Sequence, residues 1–168
     1  MSADTPILVT GDLCDLHKSD VHGTFRVLPP VFRDYGKRTR FAGRVVTVKC
    51  FEDNSFVKAA LEEPGQGKVL VVDGGGSLRR ALVGGQIGAS AAKNGWAGVV
   101  IDGAVRDSAE LALCDLGIRA LALIPMPTER RVPGQRDVEL QIDGVWVRPG
   151  EWLYADDDGI VVMPAPQG

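Results

Sequence analysis

Arg106 and Asp107 stand side by side in this 168-residue chain, downstream of a glycine doublet, Gly84-Gly85. Arginine offers a planar fork of donors that matches a carboxylate, and aspartate offers hard oxygen ligands for a divalent cation. The doublet precedes a short helical stretch, about Gln86 to Lys93. A helix N-terminus collects unpaired backbone N–H groups and the positive end of the helix dipole, so it suits a carboxylate or a phosphate. Glycines at that point let an anion approach the backbone closely. If the fold brings both ends together, one pocket holds a carboxylate at one side and a metal at the other.

Each of these residues also has a structural reading. Asp107-Ser108-Ala109-Glu110 fits the capping box that opens a helix, with Glu110 as the reciprocal cap. One carboxylate cannot give the same lone pairs to N–H groups and to a cation, but Ser108 is a second candidate cap. Arg106 can serve a surface salt bridge, and Gly84-Gly85 a helix-to-helix turn. The functional reading draws on position, because Arg106 and Asp107 directly follow a buried strand, where α/β proteins place their ligands.

Other motifs point away from chemistry. Gly74-Gly75-Gly76 follows a strand, but a dinucleotide fingerprint needs glycine where Arg79 stands, and no P-loop occurs. A tight turn with positive φ explains it, with Ser77 free to cap a following helix. His17 and His22 do not make a metal cage. Cys50 and Cys114 fall in apolar surroundings and read as core. No serine occupies a G-x-S-x-G elbow. Asp156-Asp157-Asp158-Gly159 lacks the rest of a calcium loop and reads as a solvated hairpin turn.

The elements that must position Arg106 and Asp107 follow from patterning. A short helix is expected within residues 4–18, capped by Thr10 or Asp12, and then an irregular stretch to Gly43. Arg44 to Phe51 alternates as a strand, and Asp53 or Asn54 caps a helix from Ser55 to Glu63. Lys68 to Asp73, Ala97 to Asp102 and Ile118 to Ile124 are short, mainly apolar runs expected as buried strands. Between them lie expected helices at Ser77–Val83, Gln86–Lys93 and Ser108–Leu116. Strand-helix-strand order implies parallel pairing with crossovers. After Pro125 comes a polar loop, and turns at Asp143-Gly144, Pro149-Gly150 and Asp158-Gly159 mark a C-terminal antiparallel ribbon. The sum is one mixed α/β domain over residues 1–168.

Composition narrows the function classes. Net charge is −3, with no long block of Lys and Arg, so binding nucleic acid directly through phosphate neutralisation is not expected. No apolar run approaches the ~20 residues that span a bilayer. Three scattered cysteines without a signal-like N-terminus point to a reducing cytoplasm.

The segments CFEDNS (50–55), VLVVDGGGSLRRALVGG (69–85), NGWAGVVIDGAVRD (94–107) and LYADDDGIVV (153–162) resemble the RraA-like family. That family includes regulators of ribonuclease activity and 4-hydroxy-4-methyl-2-oxoglutarate aldolases. The resemblance implies a three-layer β/β/α swivelling domain assembled as a homotrimer, with sites between neighbouring subunits. Its aldolase branch is marked by a glycine, twenty residues, Arg-Asp, two residues and an acidic residue, which Gly85, Arg106-Asp107 and Glu110 match. By resemblance, the Gly84-Gly85-Gln86-Ile87 backbone and Arg106 bind a small 2-oxo acid, and Asp107 anchors Mg²⁺ or Mn²⁺. The expected reaction is cleavage of a 4-hydroxy-2-oxo acid to pyruvate, with decarboxylation of oxaloacetate alongside. Of the six lysines only Lys93 falls between Gly84 and Glu110, at the wrong end of its helix for a Schiff base. The chain is shorter than the larger aldolases it resembles, whose C-terminal extension adds groups to the neighbouring site. The alternative is a non-catalytic regulator that docks on a ribonuclease or RNA helicase. A methyltransferase label attached to some members finds no S-adenosylmethionine-binding glycine motif here.

Overall fold

A computed structural model describes residues 8–168. In chain order the elements are α1 (Thr10–His17), β1 (Arg26–Val27), β2 (Arg33–Asp34), β3 (Phe41–Lys49), α2 (Ser55–Glu62), β4 (Val69–Asp73), β5 (Ala81–Val83) and α3 (Gly85–Lys93). There follow β6 (Gly98–Val105), α4 (Ser108–Leu111), β7 (Gly117–Leu123), β8 (Gln135–Arg136), β9 (Leu140–Ile142), β10 (Val145–Val147), β11 (Trp152–Ala155) and β12 (Ile160–Met163).

β3, β4, β6 and β7 pair in parallel, with Val45 opposite Val69, Val69 opposite Gly98, and Gly98 opposite Gly117. The nine-residue β3 lets the sheet curl into an antiparallel part. Its second half pairs with β4, whereas its first half, Phe41 to Arg44, pairs antiparallel with β11. β12 and then β1 extend that side, and β2 closes the other edge against β7. The result is a mixed α/β fold around one curled, mixed sheet.

The central parallel strands β4 and β6 are near-continuous apolar runs because both their faces are covered. Leu70 and Val72 of β4 face one core, with Val57, Ala60 and Leu61 of α2, Ala91 of α3 and Leu111 of α4. The 57, 60, 61 spacing is one face of a helix. Val69 and Val71 face a second core, with Leu140, Ile142 and Val147 of the β9–β10 hairpin and Leu153, Ile160 and Val162 of the curled ribbon. Phe41 lies between the paired glycines Gly98 and Gly117, where a β-carbon on either would overlap its ring. Gly117→Ala is therefore expected to cost about 1–3 kcal/mol by overpacking, seen as an earlier urea midpoint with unchanged slope.

Several local expectations are corrected. Ser77–Val83 is not a helix. Ala81, Leu82 and Val83 are all buried, and β5 pairs with β6 while Ala81 N–H donates to the Met126 carbonyl. A three-residue segment buried on every side is served by ladder hydrogen bonds, whereas a helix that short cannot recover its nucleation cost. Ser77 accordingly caps nothing; its hydroxyl donates to Glu52, which also takes two bonds from Arg79. Those contacts, Arg79 foremost, hold the Glu52 carboxyl down at about 2. The triple glycine is a turn, with positive φ at Gly75 and Gly76.

α4 stops at Leu111 rather than Leu116. The carbonyls of Cys114 and Leu116 accept the N–H groups of Lys37 and Arg38, and the Arg38 guanidinium forks onto the Asp115 carboxylate. Past Ala112 the i−4 ladder has ended: the Leu113 and Cys114 N–H groups bond the Glu110 and Leu111 carbonyls, three residues back, and the Leu116 N–H bonds the Cys114 carbonyl. In α1, residues 4–7 of the expected stretch lie outside the described residues, and the N-cap is Val9, not Thr10 or Asp12. At α2 the Ser55 N–H donates to Asp53, while the Asn54 side chain leaves the helix altogether. The 156–159 turn joins β11 to β12 as expected, yet Asp156 is buried. His17 stacks on Phe25 and bonds Gln167, a packing role.

Candidate active site

Two strand ends make the site. β5 and β6 run parallel with Val83 opposite Val105, so their C-terminal ends lie side by side. One leads through Gly84 into α3, a strand-to-helix turn rather than the helix-to-helix turn expected. The other leads into Arg106-Asp107, and the Arg106 N–H donates to the Val83 carbonyl at 3.0 Å. Asp107 then adopts a left-handed backbone, φ 62° and ψ 50°. Aspartate tolerates this region better than most residues.

Asp107 occupies the N-cap position of α4 but makes no side-chain cap there. Its Oδ2 instead accepts the Gly85 N–H at 2.9 Å, twenty-two residues away, at the start of α3. The capping-box reading of Asp107 is thus overturned. Glu110, read as the reciprocal cap, also lies against the doublet: a β-carbon on Gly85 would overlap its carboxylate. A β-carbon on Gly84 would stand 2.7 Å from Asp107 Oδ2. Glycine serves here for close approach by carboxylates, since neither residue has positive φ.

Gly84, Gly85, Gln86, Ile87, Arg106 and Asp107 line one cavity of about 790 Å³. The amides at its floor are unequally available. Gly85 N–H is taken by Asp107, and Gly88 N–H by the Gly84 carbonyl at 2.9 Å. The Gln86 and Ile87 amides lie in the first turn, where no carbonyl four residues earlier belongs to the helix. They are the groups left for an incoming anion. Arg106 is part-exposed, with Nε 3.9 Å from Asp107 Oδ2 and Nη1 donating to the Pro125 carbonyl at 3.3 Å.

Sequence reasoning missed the opposite wall. Lys58 and Glu62 of α2, 3.8 Å apart, line the cavity, as do Asn54, Thr128 and Arg130. Asn54 was visible only as a helix-cap candidate, and Arg130 sat in a loop with no pattern. Lys58 answers the elimination of lysines: a lysine does reach the cavity, from outside the 84–110 stretch. Among the described residues no group of three or more His, Cys, Asp or Glu forms a ready metal cage.

Residues 10–162 match the family model RraA-like, Aldolase/RraA. The chain belongs to the RraA-like family. This RraA-like chain is 68% identical over 166 residues to a protein of Albidiferax ferrireducens provisionally named a 4-hydroxy-4-methyl-2-oxoglutarate aldolase, covering 94% of this chain and 96% of that one. A Cupriavidus necator protein with the same provisional name is 57% identical, covering 92% and 94%. Among solved structures, the RNA-processing inhibitor RraA from Thermus thermophilis is similar at TM-score 0.90 and 48% identity, covering 96% of this chain and 95% of that chain. A Geobacillus kaustophilus protein described as an S-adenosylmethionine:2-dimethylmenaquinone methyltransferase is similar at TM-score 0.86 and 41% identity, covering 95% and 96%. No described helix of this RraA-like chain is long and apolar enough to cross a membrane.

Proposed function

We propose that this RraA-like chain is a divalent-metal-dependent carbon–carbon lyase. It cleaves 4-hydroxy-4-methyl-2-oxoglutarate and similar 4-hydroxy-2-oxo acids to pyruvate, and decarboxylates oxaloacetate. The observation that supports the reading is the 2.9 Å bond from Gly85 N–H to Asp107, which sets the start of α3 beside a carboxylate in one cavity. The provisional name of relatives at 68% and 57% identity supports the same reaction.

The donor set fits Mg²⁺ or Mn²⁺. Asp107 and Glu110 converge on the glycine doublet as oxygen donors, with no histidine or thiolate in the cavity lining. Mg²⁺ needs only one or two carboxylates beside substrate and water, so Asp107, with Glu110 next to it, would hold it. When bound, the cation supplies electrophilic stabilisation of the negative charge that develops on the 2-oxo oxygen.

The chain's own groups supply position. The Gln86 and Ile87 amides and the positive end of α3 receive the C1 carboxylate. Arg106 forks onto the 2-oxo acid and fixes its plane. In that pose the C3–C4 bond breaks, its electron pair passes into the C2–C3 enolate, and the C4 hydroxyl loses its proton as the carbonyl fragment forms. Protonation at C3 then yields pyruvate. Loss of CO₂ from oxaloacetate leaves the same enolate, so both reactions share one site.

Pyruvate release is expected to vanish with EDTA and to return with Mg²⁺ or Mn²⁺. Borohydride added with substrate is expected to trap nothing; a stable adduct on Lys58 would replace the metal mechanism with a Schiff base. The assembly is proposed to be a homotrimer, about 54 kDa from a 17.9 kDa chain, a cyclic assembly readable by light scattering.

A second reading rests on the likeness to the Thermus RNA-processing inhibitor. In it the chain docks on a ribonuclease or RNA helicase. Capture of such a partner, unaffected by Asp107→Ala, would favour this reading.

A further inference from the structure

The loop after β7 is fastened in two places. Ala81 N–H donates to the Met126 carbonyl and Arg80 to the Pro127 carbonyl, which ties the loop's start to β5. Asn54 then holds its middle. The Asn54 amide is buried; its Nδ2 donates to the Leu82 carbonyl at 3.1 Å, and its Oδ1 accepts from Thr128 Oγ1 at 2.8 Å and Arg130 Nε at 3.4 Å. Only this orientation of the amide suits all three partners, since a carbonyl needs a donor and two donors need an acceptor.

The neighbouring arginines of this loop differ. Arg80 and Arg131 both meet the Glu129 carboxylate, and Arg131 lines a separate cavity beyond it. Arg130 lines the candidate active site and has no carboxylate within 4 Å among the described residues. Its only hydrogen bond among them uses Nε, leaving both Nη groups, the forked end, without a partner among the described residues of its own chain. Arginine stays charged at any pH of interest. An unmatched guanidinium on the wall of a cavity is a receptor for an anion.

The cavity already has a carboxylate receiver at the start of α3. At about 790 Å³ it is far larger than pyruvate requires. We propose that Arg130 binds the distal carboxylate of a dicarboxylic 2-oxo acid, and that Asn54 is the positioning residue that holds Arg130 at the cavity wall. This rests on the lyase reading above for the placement of the C1 carboxylate. It makes Arg130 the determinant of preference for acids with a second carboxylate over those ending in a methyl group.

The test is binding, measured calorimetrically on the full chain with Mg²⁺ present. 2-Oxoglutarate and 2-oxopentanoate share the 2-oxo acid head and chain length, differ in the terminal carboxylate, and lack the 4-hydroxyl that cleavage needs. Wild type is expected to prefer 2-oxoglutarate by about 10- to 100-fold, the range for a charge-assisted contact. Arg130→Ala is expected to erase that preference while moving 2-oxopentanoate by less than about twofold. Asn54→Ala is expected to erase part of it, and Arg131→Ala, removing the same charge one residue on, none. Binding of neither ligand by wild type, equal binding of both, or an equal loss of both in Arg130→Ala would overturn the proposal. Pyruvate release from a 4-hydroxy-2-oxo acid is scored separately. Selective binding without pyruvate release would sink the lyase reading and leave Arg130 its role.

Discussion

Replacing Asp107 by asparagine is expected to lower pyruvate release by about a thousandfold and to abolish its dependence on added metal, while the chain stays folded. The geometry makes this substitution more informative than alanine. Asp107 has φ 62° and receives the Gly85 N–H. Asparagine also tolerates the left-handed region and keeps an oxygen for that amide. Alanine does neither, so Asp107→Ala mixes two losses: an orphaned helix amide and backbone strain, each about 1 kcal/mol, on top of the lost ligand. Asparagine removes the negative charge and little else. Losing a Lewis acid forfeits several kcal/mol of transition-state stabilisation, and each 1.36 kcal/mol is tenfold in rate. The paired measurement is a urea titration, where Asp107→Asn is expected within about 1 kcal/mol of wild type. Full activity in a folded Asp107→Asn chain would return Asp107 to the role of a cap for α3.

The second large effect is on stability. Asp156→Ala is expected to cost about 3 kcal/mol, the upper end for hydrogen bonds to a charged group that is buried. The Asp156 carboxylate accepts the Thr10 N–H at 2.7 Å, the Thr10 hydroxyl at 2.6 Å and the Asp158 N–H at 3.0 Å. It thereby ties the first turn of α1 to the β11–β12 turn, above a small core of Leu13, Tyr154, Val161 and Met163. Burial pushes this carboxyl up, but the donors from Thr10, Asp158 and Gly159 outweigh it and hold it below its usual value. A depressed folded-state pKa means that the unfolded chain binds the proton more readily. Its stabilisation is therefore complete above the unfolded value, about 3.9, and is lost as pH falls through the folded one. Wild type should lose part of its stability on acidification below about pH 4, and Asp156→Ala should show less of that fall. Denaturant midpoints at neutral and acid pH would measure both, and amide exchange across residues 10–17 should accelerate in the mutant. A mutant as stable as wild type, with the same acid slope, would show that α1 docks through its apolar contacts alone.

The sequence by itself determined the parallel centre of the sheet. Runs such as Val69 to Val72, apolar on both faces, have no stable place except between two covering layers. It also determined that α3 begins at the glycine doublet and that Arg106 and Asp107 stand at a strand's end. The family resemblance added the pairing of these two places. Which partner each polar group takes was decided only by the tertiary structure. Asp107-Ser108-Ala109-Glu110 carries a strong local signal for a capping box, yet Asp107 bonds an amide twenty-two residues back, because β5 and β6 bring two strand ends together. β5 itself looked helical, since a three-residue buried segment shows no period. Asn54 looked like a cap and Lys58 was one of the lysines outside the Gly84–Glu110 stretch, and both line the cavity. Short-range patterns describe what a residue can bond within one turn. A folded chain offers the same side chain distant partners, and a buried polar group takes whichever satisfies it best.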